Sequence, residues 1–410
     1  MSQHGPIVVI STTQPASLTA ALTEAKLFPM VEVRWSDALD AVTRLLPAAI
    51  IADMPPRGTP TLALLAGRLA VRQPYVPLIV IDPDTPLPAN AIPLSSLDGD
   101  PDRLGARLRA ALRVRALHAT MLRRLADSPK LRARLPDTDP ILDATVLLIG
   151  RGASYPALSV ALGERMGIVG ALSIEAAAKH LNARDVDGIV IGDGFTPRVI
   201  DAFLTVLAED TRFRNLPVIV PSRLTRTYDL PNLEMIVGNP VDVAANALPL
   251  IRQRAFEQRL VRTLRSIDAG GLLDPRTGLL TPTAFDRDFA TTVEQTLARG
   301  AGLSVARFAF DDPSPREQLD AARIIGQLMR RTDFATLRDD GSIVAVFADA
   351  GSRTAGAIAR RLASVVKHTM HSTKRKSRVD PHVTVETLLP TDSATVLLAR
   401  LDGDAHRAAS

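Results

Sequence analysis

Three short stretches of this 410-residue chain carry side chains with chemistry to offer. Arg330, Arg331, Thr332 and Asp333 place a guanidinium fork three residues ahead of a carboxylate. A fork of that kind pairs with a phosphate or a base edge and a carboxylate accepts from N–H groups, while the bland alternative is a surface ion pair worth under about 1 kcal/mol. Asp53 closes the apolar run PAAIIAD, where a lone strand-end carboxylate is ordinarily a turn or helix-capping residue. Lys367, His368, His371, Lys374, Arg375, Lys376 and Arg378 form a basic cluster that reads as a solvated loop. His368 and His371 have no neighbouring Cys or carboxylate to complete a metal set, so no metal is expected.

Behind these residues lies an alternation of strands and helices. The first part reads as a strand Ile7 to Ile10, a helix Leu18 to Ala25, a helix opening near Ser36 and Asp37, strands Ala49 to Ala52 and Pro77 to Ile81, and a helix from about Leu104 to Leu125. The order then recurs, with strands Val146 to Ile149, Gly188 to Ile191, Pro217 to Val220 and Met235 to Val237, a helix Ile174 to Leu181, and a long helix Leu248 to Ile267. Strands alternating with helices imply parallel sheets covered on both faces. The Pro-rich, charged stretch 126 to 140 separates the two copies as a linker. In the terminal helices, Leu104, Leu108 and Leu112, and likewise Phe256, Leu260, Leu264 and Ile267, fall on apolar stripes that are expected to pack on the core nearby and to pair two copies of the chain further out.

Composition narrows the classes of function. Hydrophobic residues at 46% and charged residues at 23% are the balance of a packed soluble protein. The formal net charge of +5 comes largely from Arg on striped helices, which reads as solvated helix faces. Aromatics are 4% and no basic stretch interleaves with them, so no nucleic-acid partner is expected. No apolar run nears the roughly 18 residues that cross a bilayer, and the N-terminus leads directly into a strand with no room for a signal-peptide core. With no cysteine, disulfides and thiolate chemistry are excluded, in keeping with a reducing cytoplasm.

Both copies resemble response-regulator receiver domains. PAAIIADMPP (residues 47 to 56) and VDGIVIGDG (186 to 194) look like the receiver strand that ends in the phospho-accepting aspartate. Such an aspartate works with Mg²⁺ held by carboxylates at the end of the first strand. Here those ends are Ser11, Thr12, Thr13 and Gly150, Arg151, Gly152. The acceptor position is Asp53 in the first copy and Gly192 in the second, and the position of the receiver lysine is Asn239. The resemblance therefore implies two pseudo-receivers.

From residue 269 the chain resembles GGDEF, or diguanylate cyclase, domains, on LLDPRTGLLTPTAF, where Asp274, Pro275, Thr277, Gly278, Leu279 and Phe285 sit at motif positions. Thr281 suits a helix N-cap and Pro282 its first turn. Strands Leu303 to Phe310, Phe334 to Arg338, Ile343 to Phe347 and Val383 to Leu389 and helices Arg316 to Arg331 and Thr354 to Thr369 follow the family order, with Asp340 and Gly341 in a hairpin turn. The five positions that read GGDEF in active members are Asp339, Asp340, Gly341, Ser342 and Ile343, so the metal-binding carboxylate is missing. Asp311 or Asp312 could imitate the other metal ligand, while the guanine-gripping segment before the next helix is absent. Arg330 to Asp333 has the RxxD spacing of the family's inhibitory cyclic di-GMP site, and counting from the hairpin adds Arg361, or Arg360 if the register slips.

The resulting expectation is an α/β protein of two flavodoxin-like pseudo-receiver domains (1–126 and 141–268, linker 127–140) followed by a degenerate GGDEF, nucleotidyl-cyclase-like α/β domain (269–410). It is expected to be no enzyme and to need no cofactor or metal. It would bind cyclic di-GMP through Arg330, Asp333 and Arg361 and act on protein partners of the cell-cycle or proteolysis machinery, as a cytoplasmic homodimer without nucleic-acid or membrane partners. Two other readings stay open: a scaffold that binds no nucleotide, and a residual cyclase or GTP-binding protein.

Overall fold

In the computed structural model the described residues are 5–12, 29–55, 61–95, 101–126, 138–221, 224, 226–369 and 379–408, and they fall into two compact units. The expected helix Leu18 to Ala25, most of the linker and residues 371–378 of the basic cluster lie outside the described residues.

The first unit holds two five-stranded parallel sheets. In one, β1 (Ile7–Ser11), β2 (Met30–Arg34), β3 (Ala49–Ala52), β4 (Leu78–Ile81) and β5 (Ala91–Leu94) are ordered β2-β1-β3-β4-β5. In the other, β6 (Thr145–Ile149), β7 (Gly167–Ala171), β8 (Gly188–Ile191), β9 (Val218–Val220) and β10 (Leu233–Met235) are ordered β7-β6-β8-β9-β10. Both are the doubly wound order 2-1-3-4-5. The strands read as unbroken apolar runs because helices cover both faces. Val8, Ile10 and Ile50 pack under α1 (Ala38–Leu45) and α2 (Thr61–Ala70), while Ile7, Val9 and Ile51 meet α3 (Pro101–Ala126). The second sheet alternates with α4 (Tyr155–Gly163), α5 (Ile174–Ala183), α6 (Pro197–Glu209) and α7 (Pro240–Asp268). The sequence pattern passes over β2, β5, β7, α2, α4 and α6, and α7 begins well before Leu248 because Asn239 caps it, accepting from the amides of Val241 and Asp242 at 2.9 and 3.0 Å.

Neither sheet has a helix before its last strand among the described residues: 82–90, 221, 224 and 226–232 are irregular. The β5 and β10 margins are left open to side chains from elsewhere in the unit. Arg107 on α3 fills the gap, fully buried, donating to the carbonyls of Pro93 (2.7 Å) and Pro231 (2.5 Å) and pairing with Glu234 of β10 at 2.7 Å. Arg103 reaches the same carboxylate at 3.0 Å, and the Ser95 amide and hydroxyl donate to its other oxygen at 3.1 and 2.8 Å. Burial pulls the Arg107 guanidinium below its ordinary pKa and the Glu234 charge opposes that shift. Further along, Glu257 of α7 accepts from Arg113 (2.8 Å) and Arg254 (2.6 Å), and the Phe256 ring meets Tyr75 and His118 edge-on at 5.7 and 5.2 Å.

Two sequence expectations are corrected here. These arginines are not a solvated face: Arg107 occupies the apolar stripe of α3 with Leu104 and Leu108 because its charge is neutralised within the fold. Phe256, read as part of a stripe pointing to the core or to a second copy, packs on rings of the first repeat of the same chain.

The second unit is an antiparallel sheet of β11 (Leu303–Ala309), β12 (Phe334–Leu337), β13 (Ile343–Ala348) and β14 (His382–Thr387), ordered β12-β13-β11-β14. With α9 (Pro315–Leu328) after β11 and α10 (Ser352–Thr369) after β13, it is a split βαβ core. Strand alternation sends Ala306 and Phe308 to the α9 and α10 face, and Leu303 and Val305 to the opposite face under α8 (Pro282–Arg299) and α11 (Ala394–Ala408).

Glu234→Ala strands a buried guanidinium, and an uncompensated buried charge costs about 3–5 kcal/mol. Urea unfolding followed by Trp35, the single tryptophan, is expected to show a loss of that size for Glu234→Ala and a much smaller loss for the double variant Arg107→Met, Glu234→Leu.

Candidate functional site

The second unit is organised around two ends of β12. At one end the chain leaves α9 and turns through Arg330, Arg331, Thr332 and Asp333 into the strand, so α9 stops at Leu328 and not at Arg331 as the spacing suggests. The turn closes with the Asp333 amide donating to the Arg330 carbonyl at 3.1 Å. The Asp333 carboxylate accepts from the Arg330 amide (3.4 Å) and from the Ala348 amide at the end of β13 (3.3 Å), which ties the turn to the segment leading into α10. Burial raises the Asp333 pKa, against the lowering effect of those two amides and of the Arg330 charge.

Arg330 and Arg331 on the turn, and Arg360 and Arg361 on α10, are exposed. Among the described residues none of these four has a carboxylate partner or a side-chain hydrogen bond. Arg330 and Asp333 are brought together in one turn, whereas no hydrogen bond or ion pair joins Arg361 to either. The site is thus half-buried at its carboxylate and open at its guanidinium groups.

The other end of β12 is the hairpin. Arg338 and Ser342 pair across it, the Gly341 amide donates to the Arg338 carbonyl at 2.9 Å, and Gly341 has φ +80°. This is a three-residue loop closed by a left-handed residue, as the Asp-Gly pair predicts. A Cβ on Gly341 would lie 2.3 Å from Nε2 of Gln318 on α9, so a larger side chain there must displace Gln318. Asp340, half-exposed, pairs with Arg307 at 2.5 Å and accepts from the Ser342 amide (2.9 Å) and hydroxyl (2.7 Å). Burial pushes its pKa up, but those bonds and the Arg307 charge outweigh burial and hold it below the usual range. Asp311, at the end of β11, contacts His382 at 3.2 Å. Asp340 is bonded to Arg307 and Ser342 while Gly341 and Ser342 bring no carboxylate, and no group of three His, Cys, Asp or Glu able to hold a metal ion is found among the described residues.

The lead-in to this unit behaves as its residues predict. Asp274 accepts from the Arg276 amide (2.9 Å), the Thr277 amide (2.8 Å) and the Thr277 hydroxyl (3.0 Å), with Gly278 at φ +78°. Thr281 caps α8 ahead of Pro282, and Ser314 with Glu317 forms a capping box that starts α9 directly after the β11 end. The Arg338 guanidinium lies 4.9 Å from the Phe285 ring and bonds Asp286 at 2.8 Å. Sequence reasoning missed these Arg307 and Arg338 contacts, because an Arg in a strand shows its partner only after folding.

In the parallel sheets, Asp53 is half-buried at the C-terminal end of β3. Its carboxylate accepts from the Thr12 amide (2.8 Å) and hydroxyl (2.9 Å) and from the Trp35 indole (2.8 Å). In the second copy the corresponding position is Gly192, and the carboxylate beside it belongs to Asp193. Asp193 accepts from the Ser154 hydroxyl, which holds its pKa down, and a Cβ on Gly152 would sit 2.2 Å from the Asp193 carboxyl carbon. Asn239, at the lysine position, is spent on capping α7, its amide also donating to Asp242 at 2.6 Å.

No family model matches the chain, and none of the curated proteins matches it. Among solved structures it is similar to the coiled coil and GGDEF domain of DgcB from Caulobacter crescentus in complex with c-di-GMP, at 17% identity over 36% of this chain and 84% of that one, TM-score 0.29. It is similar to the FimX GGDEF domain from Pseudomonas aeruginosa at 20% identity over 34% of this chain and 93% of that one, TM-score 0.29. It is also similar to the diguanylate cyclase SiaD in complex with its activator SiaC from the same organism, at 17% identity over 37% of this chain and 64% of that one, TM-score 0.31. At these identities and TM-scores the likeness adds nothing to what the strand order and residues of this chain carry. No helix of the described residues is long and apolar enough to cross a membrane.

A carboxylate already held by three donors is a poor phosphoryl acceptor. Incubation with acetyl phosphate and Mg²⁺ is expected to leave the intact mass unchanged; a gain of one phosphoryl group, mapped to Asp53, contradicts this.

Proposed function

We propose that the chain is a two-receiver GGDEF-type protein whose GGDEF domain has lost catalysis and serves as a cyclic di-GMP receptor, acting through protein partners in the cytoplasm as a homodimer. The observation that carries this reading is the pairing of opposites in one small unit. At the hairpin, where the family's metal would sit, the carboxylate of Asp340 is consumed by Arg307 and Ser342. At the other end of β12, Arg330 is free beside a half-buried Asp333, and Arg361 is free on α10. A free guanidinium beside an oriented carboxylate suits a guanine base or a phosphate: the fork pairs with O6 and N7 or with phosphate oxygens, and the carboxylate accepts from the ring and exocyclic N–H groups. The short connection from β11 to α9, closed by the Ser314 capping box, leaves no segment to grip the guanine of GTP at the hairpin.

Both pseudo-receivers contribute shape in place of phosphorylation. Asp53 is engaged by Thr12 and Trp35, and Asp193 accepts from the Ser154 hydroxyl. Cyclic di-GMP binding would favour one arrangement of the chain by its differential affinity for that arrangement.

Titration calorimetry with cyclic di-GMP is expected to give heat for the wild type and a loss of about 10- to 100-fold in affinity for Arg330→Ala and for Arg361→Ala, the scale of one charge-assisted contact. No heat with the wild type would leave the scaffold reading, and product formed from GTP and Mg²⁺ would leave the residual cyclase.

The raised Asp333 pKa gives a pH signature. The ionised carboxylate is the acceptor, so affinity is lost as pH falls through the Asp333 pKa, at a higher pH than for an ordinary Asp. Binding isotherms between pH 4 and 8 are expected to show the decline in wild type and to lack it in Asp333→Asn.

A further inference from the structure

The first parallel sheet carries a second feature at its opposite end from Asp53. Where the chain enters β3 and β4, a groove of about 180 Å³ is floored by Val42, Leu69 and Val76, with Leu46, Arg72 and Arg115 around it. It is well below the roughly 300–1,000 Å³ of small-molecule sites, and so is sized for a single side chain. Leu46 stands 61% exposed at its mouth, and Val71 beside Arg72 is 82% exposed.

The cationic rim is preformed. Arg115 on α3 donates through Nη1 to the carbonyls of Pro74 (3.2 Å) and Tyr75 (2.9 Å), which fixes the loop that bears Arg72. The Tyr75 amide donates to His118 Nδ1 at 2.9 Å and steadies the same loop from the same helix. Among the described residues neither Arg72 nor Arg115 has a carboxylate partner. Partial burial draws the Arg115 pKa down, the cost a charge bears when no opposite charge answers it.

An aliphatic floor beside two guanidinium groups without a carboxylate partner suits an occupant that presents an apolar side chain and a carboxylate close together, and the small space favours the most compact way of doing so. In an internal acidic segment those two groups sit on different residues, two or more apart when they share a face. On a chain terminus they share one Cα. We propose that this groove docks the C-terminus of a partner protein ending in an aliphatic residue, with the side chain against Val42, Leu69 and Val76 and the free carboxylate between Arg72 and Arg115. The docking is independent of the cyclic di-GMP site, which lies in the other unit.

The probe is a fluorescein-labelled glycine-serine peptide ending in leucine with a free carboxylate, titrated with the full chain by anisotropy, with methyl NMR to locate it. The expected result is saturable binding that shifts the methyl groups of Val42, Leu69 and Val76. Binding is weakened about tenfold or more by C-terminal amidation, by a serine terminus and by Arg72→Glu, with the thermal unfolding of that variant unchanged. No binding, equal binding of the amide, or binding indifferent to Arg72→Glu overturns the proposal. Arg72→Lys, which keeps the charge, is expected to retain most of the affinity and to separate loss of the guanidinium from loss of the fold.

Discussion

A guanidinium buried out of reach of water must be neutralised and must have its N–H groups accepted, and Arg107 meets both demands only by joining two sheets. Its acceptors are Pro93 on β5, the loop ahead of β10, and Glu234 within β10. Glu234 in turn has no route to solvent, and Arg103 and Ser95 complete its bonds. Each charge is intolerable without the other, so the two repeats are held in one fixed arrangement. The irregular described residues before β5 and β10 make room for this, and Glu257 and Phe256 extend the contact along α7.

The antiparallel unit uses charge in two opposite ways. At the hairpin, Asp340, Arg307 and Ser342 satisfy one another, and Arg338 is shared between Asp286 and the Phe285 ring. At the Arg330 turn the backbone, not a cation, holds the carboxylate, and the arginines stay free. At one end of the strand the charges pair with one another, while at the other the guanidinium groups are exposed. The fold allows both because a split βαβ sheet places its loops at opposite ends of the strands, where they can diverge without disturbing the core.

Much of this could be read from residues alone where the governing physics is local. Unbroken runs such as IVVI and GIVI announce parallel strands covered on both faces. Thr281 before Pro282 and Asp340 before Gly341 specify a cap and a turn with nothing but near neighbours, and both form as read. The turn that holds Arg330 and Asp333 was not legible in this way, because the pattern carried the helix on to Arg331 and the chain leaves it at Leu328. One clue to the buried pair was present: Arg107 falls on the stripe of Leu104 and Leu108. Composition made the solvated face the ordinary reading of the arginines, Glu234 lay just outside the strand as read from the sequence and inside it in the structure, and neither residue names its partner.

What the chain decided by itself, then, are the strands, caps and turns whose bonds close within a few residues, and the residue types at the two ends of β12. Only the tertiary structure decided which charges are consumed and which are free. Asp340 and Asp333 are both carboxylates in loops, and Arg307 and Arg361 are both arginines on regular elements. The pairing of Asp340 with Arg307, and the exposure of Arg361, follow from which strand lies beside which and which helix face is covered. Those are long-range facts, because a charge–charge contact depends on distance in space, which sequence separation does not supply.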